Sequence, residues 1–110
     1  INALTQASVE FLLDHFDRFE AQVVLLRDER ERMAVALAEI DGIQVFPSQA
    51  NFLLIRVADA SHVFEALKQA GILIKNMHGS DRLLANCLRI TIGSKQENDA
   101  VLTAMREILA

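Results

Sequence analysis

The sequence predicts an α/β protein of the α+β type, in which a small, mostly antiparallel sheet of three to four strands packs against helices on one face, after a long N-terminal helix. Apolar residues recur at helical spacing over residues 1–40, and short apolar runs bounded by Gly, Pro or Asn follow in the remaining 70 residues. With 52% apolar and 24% charged residues, the 110-residue chain has the composition of a globular domain with its own core.

Helical spacing of the apolar residues predicts two helices in the N-terminal third. The first covers residues 4–15, with Thr5 or Asn2 available as a cap, and we expect residues 14–17 to bend or interrupt it. The second runs over residues 16–40 and would be about 35 Å long. A helix of that length exceeds what so small a domain needs, so we expect it to pack against something else as well. Its apolar seam consists of Phe16, Phe19, Val23, Leu26, Met33, Leu37 and Ile40, with Arg30 at one seam position.

Two strands and a helix are predicted next. Gly42 suits the left-handed residue that closes the long helix, and a short strand over residues 43–46 ends at Pro47. The strand over residues 51–57 is apolar enough to be central in a sheet. Asp59 then caps a helix that Gly71 closes.

The C-terminal part predicts two further strands and a closing helix. Residues 72–75 form a short apolar run, and residues 86–93 alternate apolar and polar side chains, as in a strand with one buried face. Ser94 and Glu97 have the Ser-x-x-Glu spacing of a capping box, which predicts the start of a helix that reaches residue 109.

Composition excludes several classes of function. The net charge of −4 and the pI near 5.3 argue against a nucleic-acid or anionic-membrane partner. A single cysteine, Cys87, allows no internal disulfide, and no apolar run approaches the length of a membrane span, so a cytoplasmic location is expected. His15, His62 and His78 lack metal-ligand spacing, and no metal site is predicted.

The chain opens without Met in the middle of a helical pattern, which suggests a piece of a longer protein.

Three polar residues are candidates for a binding site. In the alternating run, Arg89 points away from the core that Leu88 and Ile90 fill, and a guanidinium fixed on a strand can grip a carboxylate or phosphate through two hydrogen bonds. Asn51 begins one strand and Lys75 ends another, so they could share one edge with Arg89. Together they suit an anionic small molecule and include no evident base or nucleophile. The alternatives are a turn asparagine, an ordinary strand terminus, and an arginine that is solvated or paired with an acid.

Three phrases of the sequence resemble the C-terminal, small domain of histidinol-phosphate aminotransferases, which are fold-type I enzymes dependent on pyridoxal phosphate. These phrases are Val-Phe-Pro-Ser-Gln-Ala-Asn-Phe-Leu-Leu at residues 45–54, Gly-Ile-Leu-Ile-Lys-Asn at 71–76, and Cys-Leu-Arg-Ile-Thr-Ile-Gly at 87–93 followed by Glu-Asn at 97–98. The resemblance extends over essentially the whole chain and includes the long Arg- and Glu-rich helix.

The resemblance implies a role for each candidate residue. Arg89 occupies the place of the arginine that binds the substrate carboxylate, and Asn51 that of an asparagine lining the active site. Lys75 stands where many members carry an arginine that helps to recognise the substrate phosphate. The lysine keeps the charge but lacks the planar fork.

The resemblance also implies how the protein is organised. Residues 1–40 would be an interdomain helical segment, and residues 41–110 the small domain, together forming one unit. A preceding large domain would supply the lysine that binds pyridoxal phosphate, so this chain alone is expected to have no catalytic or cofactor-binding residue and no activity. The parent enzyme, expected to be a homodimer, would transfer an amino group between L-histidinol phosphate and 2-oxoglutarate in histidine biosynthesis.

Two other hypotheses for the function of the chain remain open. The strand and helix order after residue 51 also suits a ferredoxin-like regulatory module that binds an amino acid or mediates dimerisation, with Arg89 as its carboxylate anchor. The chain could also be a folding fragment without a binding role, in which Arg89 pairs with an acidic neighbour.

Overall fold

A computed structural model describes the backbone of residues 3–110 and the side chains of residues 16–110. This part of the chain contains three α-helices and a sheet of four strands, which agrees with the fold class predicted from the sequence. A single 3₁₀ turn, Arg82–Leu84, precedes the last strand. The elements are, in chain order, α1 (Ala3–Ala38), β1 (Gln44–Val45), β2 (Phe52–Arg56), α2 (Ala60–Gln69), β3 (Lys75–Asn76), β4 (Cys87–Thr91) and α3 (Lys95–Ile108).

The N-terminal third forms one helix. The predicted interruption at residues 14–17 is wrong, because α1 continues without a break from Ala3 to Ala38. Asp, His and Phe are only moderately unfavourable in a helix, and without Gly or Pro the flanking turns carry the helix through. Gly42 has a φ of +94°, which is the left-handed conformation expected after the helix end. The predicted apolar face over residues 4–15 and its cap at Thr5 or Asn2 lie outside the described side chains.

The four strands pair in the order β1-β2-β4-β3, and every pairing is antiparallel. In the central pair, Leu53 lies opposite Ile90 and Ile55 opposite Leu88. All four of these side chains are buried, since they face the helices. The side chains between them therefore point to the opposite face of the sheet.

The third strand lies further along the chain than the sequence predicts. Only Lys75 and Asn76 pair with β4, whereas residues 72–74 lie outside the strand. The backbone N–H of Ile72 donates to the carbonyl oxygen of Leu67 at 2.9 Å, so it completes the end of α2 instead of pairing in the sheet. The first residue of the predicted strand thus completes α2, and the observed strand has only two residues.

The core lies between the sheet and the three helices. α1 and α2 contact the strands directly, and both contact α3. The residues buried at this interface are Met33 and Leu37 from α1, Val63 and Leu67 from α2, Leu102 and Met105 from α3, and Leu53, Ile55, Leu88 and Ile90 from the sheet. Within residues 3–110 we find no helix with the length and apolarity that crossing a membrane requires.

The caps predicted for α2 and α3 are present. Asp59 Oδ1 accepts a hydrogen bond from the N–H of His62 at 3.1 Å. The capping box also forms, because the Glu97 N–H donates to Ser94 Oγ at 3.2 Å and the Ser94 N–H donates to Glu97 Oε1 at 3.0 Å. The hydrogen bonds from Ser94 hold the pKa of Glu97 below its ordinary value. A Cβ on Gly93 would lie 2.9 Å from Glu97 Oε1, so the turn before α3 has little space for a side chain there.

Candidate functional site

On the face of the sheet opposite the helices, which we call the open face, Arg89 and Lys75 lie side by side. Arg89 alternates with the buried Leu88 and Ile90 and therefore points to the open face. Its direct partner across the β3–β4 pair is Lys75, and its partner across β2–β4 is Leu54. Arg89 is half-buried and Lys75 is exposed. Like charges on directly opposed strand positions repel each other, so this arrangement is stabilised when an anion lies between them.

The guanidinium of Arg89 lies over an aromatic ring. Its Cζ is 5.3 Å from the centroid of the Phe52 ring, which is within the range of a cation–π contact. Phe52 is the first residue of β2 and shares the open face with Leu54, the cross-strand partner of Arg89. The ring therefore holds the guanidinium plane in a defined direction while leaving its N–H groups available for a ligand.

Neither Arg89 nor Lys75 pairs with an acid among residues 16–110, since no carboxylate there lies within salt-bridge distance of either. Arg56, which alternates with the buried Ile55 and lies on the same face, is engaged instead. The guanidinium of Arg56 donates to the carbonyl oxygens of Ala85 and Leu83 at 3.0 and 2.6 Å. In the described structure, the donors of Arg89 are thus directed at no internal acceptor.

Asn51 lies apart from the two cations. It immediately precedes β2, and its carbonyl oxygen accepts a hydrogen bond from the N–H of Ile92 at 2.8 Å. Three positions separate Asn51 from Leu54, the partner of Arg89, which corresponds to about 10 Å along a strand. The structure therefore brings Lys75 and Arg89 together on the open face and places Asn51 at the end of the same sheet.

Two features of the structure were not predicted from the sequence. The first is the contribution of Phe52 to the site, which only the register of β2 on β4 could reveal. The second is a polar network between α1 and α3, on the helix side of the sheet. The Arg32 guanidinium donates to both oxygens of Glu29, at 3.0 and 2.7 Å, and lies 2.8 Å from Asp99 Oδ1. The side chain of Asn98 donates to Glu29 Oε2 at 2.8 Å.

The polar network lowers the pKa of the Glu29 carboxyl to about 2, because hydrogen bonds from Arg32 and then from Asn98 favour its charged form. The folded-state pKa is therefore below the unfolded value of 4.5. Glu29 then stabilises the fold above about pH 5, and this contribution is lost as the pH falls towards 2.

We expect Glu29→Gln to flatten the acid dependence of stability. The free energy of unfolding should fall by about 1–2 kcal/mol less between pH 5 and pH 2 than in the unchanged chain, an amount reduced for the partial exposure of the side chain. Urea unfolding of the 110-residue chain at a series of pH values measures this difference. Glu31→Gln, at an exposed position of the same helix, is the matched control. An acid dependence identical in the two variants would contradict the assignment.

Among the described residues, potential metal ligands do not cluster and the lysines are exposed. No group of three or more potential metal-ligating side chains occurs among them. The lysines at positions 68, 75 and 95 are all exposed and lie on three different elements, α2, β3 and α3. A Schiff-base lysine is typically desolvated, which none of these exposed lysines is, although Lys75 does have Arg89 as a cationic neighbour. The open face is therefore suited to binding and orienting an anion.

The sequence matches a known family over nearly its whole length. The model of the family described as aminotransferase class I and II matches residues 2–105. Two relatives named histidinol-phosphate aminotransferase, from Burkholderia lata and Chromobacterium violaceum, are 50% and 48% identical over 106 residues. These matches cover 96% of this chain but only 30% of each relative. The chain thus spans about a third of the length of the curated relatives it matches.

A solved structure has the same fold. The structure of a decarboxylase from Sulfurospirillum multivorans superimposes with a TM-score of 0.83 and 28% sequence identity. The superposition covers 100% of this chain and 33% of that protein. The whole arrangement of α1, the antiparallel sheet and the two following helices therefore occurs as one part of a larger protein.

Proposed function

The chain belongs to the class I and II aminotransferases, and from this membership we propose that it is the C-terminal, substrate-binding part of a histidinol-phosphate aminotransferase. Relatives with that name match 96% of the chain at 48–50% identity. The reaction proposed for the whole enzyme is amino transfer between L-histidinol phosphate and 2-oxoglutarate, as a step of histidine biosynthesis. The family match includes the residues that a separate regulatory module would occupy, so we do not propose such a module.

The observation that carries this proposal is the pair of cations on the open face. Histidinol phosphate has a phosphate group and 2-oxoglutarate has two carboxylates, so each substrate presents an anion. Arg89, half-buried and stacked on Phe52, offers a planar fork that matches a carboxylate bidentately. Lys75, directly opposite, adds a point charge suited to a phosphate. Asn51, which immediately precedes β2, is proposed to contact the substrate from one end of the sheet.

The contribution of these residues is to bind and orient the substrate. Holding a reacting group in the correct geometry removes much of the entropic part of the barrier. The cofactor proposed for the whole enzyme is pyridoxal phosphate, which supplies an electron sink for the bonds around the reacting carbon. The exposed lysines of this chain do not fit the residue that holds this cofactor, so we place that lysine in a preceding large domain.

An exposed apolar surface on α1 supports the presence of that domain. Phe16, Phe19 and Val23 are 57%, 61% and 48% exposed, and they continue the seam that buries Met33 and Leu37 on the sheet. Apolar residues clustered in this way usually mark a contact with another part of a protein. We propose that the large domain of the same enzyme covers this surface. A homodimer of the whole enzyme is part of the same proposal.

Comparison of the full-length protein with the 110-residue chain tests the proposed function. Full-length protein should be yellow, should exchange amino groups between L-histidinol phosphate and 2-oxoglutarate, and should sediment as a dimer. The 110-residue chain should be colourless and inactive, and should self-associate through the uncovered surface of α1. Release of carbon dioxide from an amino donor without amino transfer would instead assign the protein to decarboxylation. Cofactor binding or turnover by the 110-residue chain would contradict the proposal that the large domain holds the cofactor and this chain only binds the substrate.

A further inference from the structure

Asn98 is the buried polar side chain of the described structure, with only 1% of its surface exposed. Its Oδ1 accepts a hydrogen bond from the N–H of Gly93 at 2.9 Å. Its Nδ2 donates to the carbonyl oxygen of Gly93 at 3.1 Å and to Glu29 Oε2 at 2.8 Å. One amide thus satisfies both backbone groups of a single glycine and also reaches across to α1.

Glu29, which accepts the hydrogen bond from Asn98, is held as firmly as Asn98 itself. Glu29 is held by two hydrogen bonds from Arg32, which is itself paired with Asp99 on α3 at 2.8 Å. The carboxylate therefore cannot rotate towards solvent without breaking several charge-assisted hydrogen bonds. Asn98 connects a fixed point on α1 with a fixed point at the turn between β4 and α3.

This turn lies close to the substrate-binding residue. Gly93 is two residues beyond the end of β4, and Arg89 is in the middle of that strand. Meanwhile α1 extends from Glu29 back towards Phe16, where the preceding domain is proposed to dock. Apolar packing alone lets a helix slide or tilt on a sheet, whereas hydrogen bonds are directional and define the angle between the two.

We infer that Asn98 is a positioning residue, which through Gly93 and Glu29 fixes the direction of β4 relative to α1 and thereby the place of Arg89 in the active site. This inference rests on the proposed function, because it assumes that Arg89 binds the substrate. Asn98 itself lies on the helix side of the sheet, so it contributes to substrate binding only by positioning Arg89.

The amide is the functional group that this position requires. It provides an acceptor for the Gly93 N–H and donors for the Gly93 carbonyl and the Glu29 carboxylate. An aspartate would place a second carboxylate against Glu29. An apolar residue would remove the hydrogen bonds to both backbone groups of Gly93 and one of those to Glu29, so the connection between α1 and the turn would be lost.

Steady-state kinetics of the full-length holoenzyme test the inference in a double-mutant cycle with Arg89→Ala. Asn98→Ala should raise the KM for 2-oxoglutarate, whose carboxylate Arg89 is proposed to bind, about tenfold, because a small displacement of a binding group is costly. In the Arg89→Ala background the same change should raise KM less than about twofold, since the group it positions is gone. The cofactor absorbance should be the same in all variants.

Two further variants keep the test independent of folding. Glu29→Ala removes the connection to α1 but leaves the Gly93 hydrogen bonds, and it should also raise KM only while Arg89 is present. Gln96→Ala, at an exposed position of the same helix, is the matched control and should leave KM unchanged.

The possible outcomes are distinct. Equal KM increases by Asn98→Ala with and without Arg89 would mean a general structural role and would overturn the inference. An unchanged KM in Asn98→Ala, when Arg89→Ala raises it, would also overturn the inference and leave the proposed function intact. An unchanged KM in Arg89→Ala would overturn the proposed role of Arg89, and the positioning role with it.

Discussion

Replacing Arg89 with alanine is expected to lower kcat/KM of the full-length enzyme for 2-oxoglutarate, the substrate with carboxylates, by about 30- to 150-fold, which corresponds to about 2–3 kcal/mol. This is the usual contribution of hydrogen bonds between a charged donor and a charged acceptor. The loss should be large because Arg89 has no acidic partner among the described side chains and its N–H groups remain available to the substrate. Initial rates at varied substrate concentrations measure it.

Two companion variants of this experiment separate charge from geometry. Arg89→Lys keeps the positive charge but loses the planar fork and the stacking on Phe52, so it should recover only part of the loss. Arg106→Ala removes a cation from an exposed position of α3 and is the matched control, with no expected change. If Arg89→Ala and Arg106→Ala had the same activity, the open face would not be the substrate site.

Replacing Leu88 with alanine should destabilise the fold by about 3–4 kcal/mol. Leu88 is completely buried and lies opposite Ile55, which is also completely buried, in the central strand pair. Removal of its side chain leaves a cavity in the middle of the core, which the paired strands cannot close by moving together. Urea unfolding of the 110-residue chain measures this loss as a lower free energy of unfolding.

Leu83→Ala makes the same chemical change at a surface position. Leu83 is 82% exposed in the 3₁₀ turn before β4, so this variant should change the free energy of unfolding by less than about 0.5 kcal/mol. Similar losses in the two variants would show that the β2–β4 pair is not at the centre of the core.

Local sequence patterns predicted several elements because their causes are local. Alternation of apolar and polar residues around Arg89 identified β4 and the direction of the arginine, since side chains in a strand point to alternate faces. Asp59, and Ser94 with Glu97, identified the starts of two helices, because a cap bonds to backbone groups within the same turn. Each of these interactions involves residues at most three positions apart.

Other predictions failed where the local sequence signal is weak. Residues 72–75 have the composition of a strand, but the Ile72 N–H closes α2, and the pairing with β4 begins only at Lys75. Residues 14–17 contain no strong helix former, yet α1 runs through them. In both places the local signal is weak, so small free-energy differences decide the structure.

The sequence by itself determined the class of fold, the order of most elements and the outward direction of Arg89, because periodicity and capping are encoded within a few neighbouring residues. Only the tertiary structure decided what surrounds that arginine. Strand pairing places Lys75 beside it, β2 brings Phe52 beneath it, and Asn98 joins Glu29 across 69 positions of the chain. Contacts of this kind depend on how separate elements pack, and no local pattern specifies which distant residues will meet.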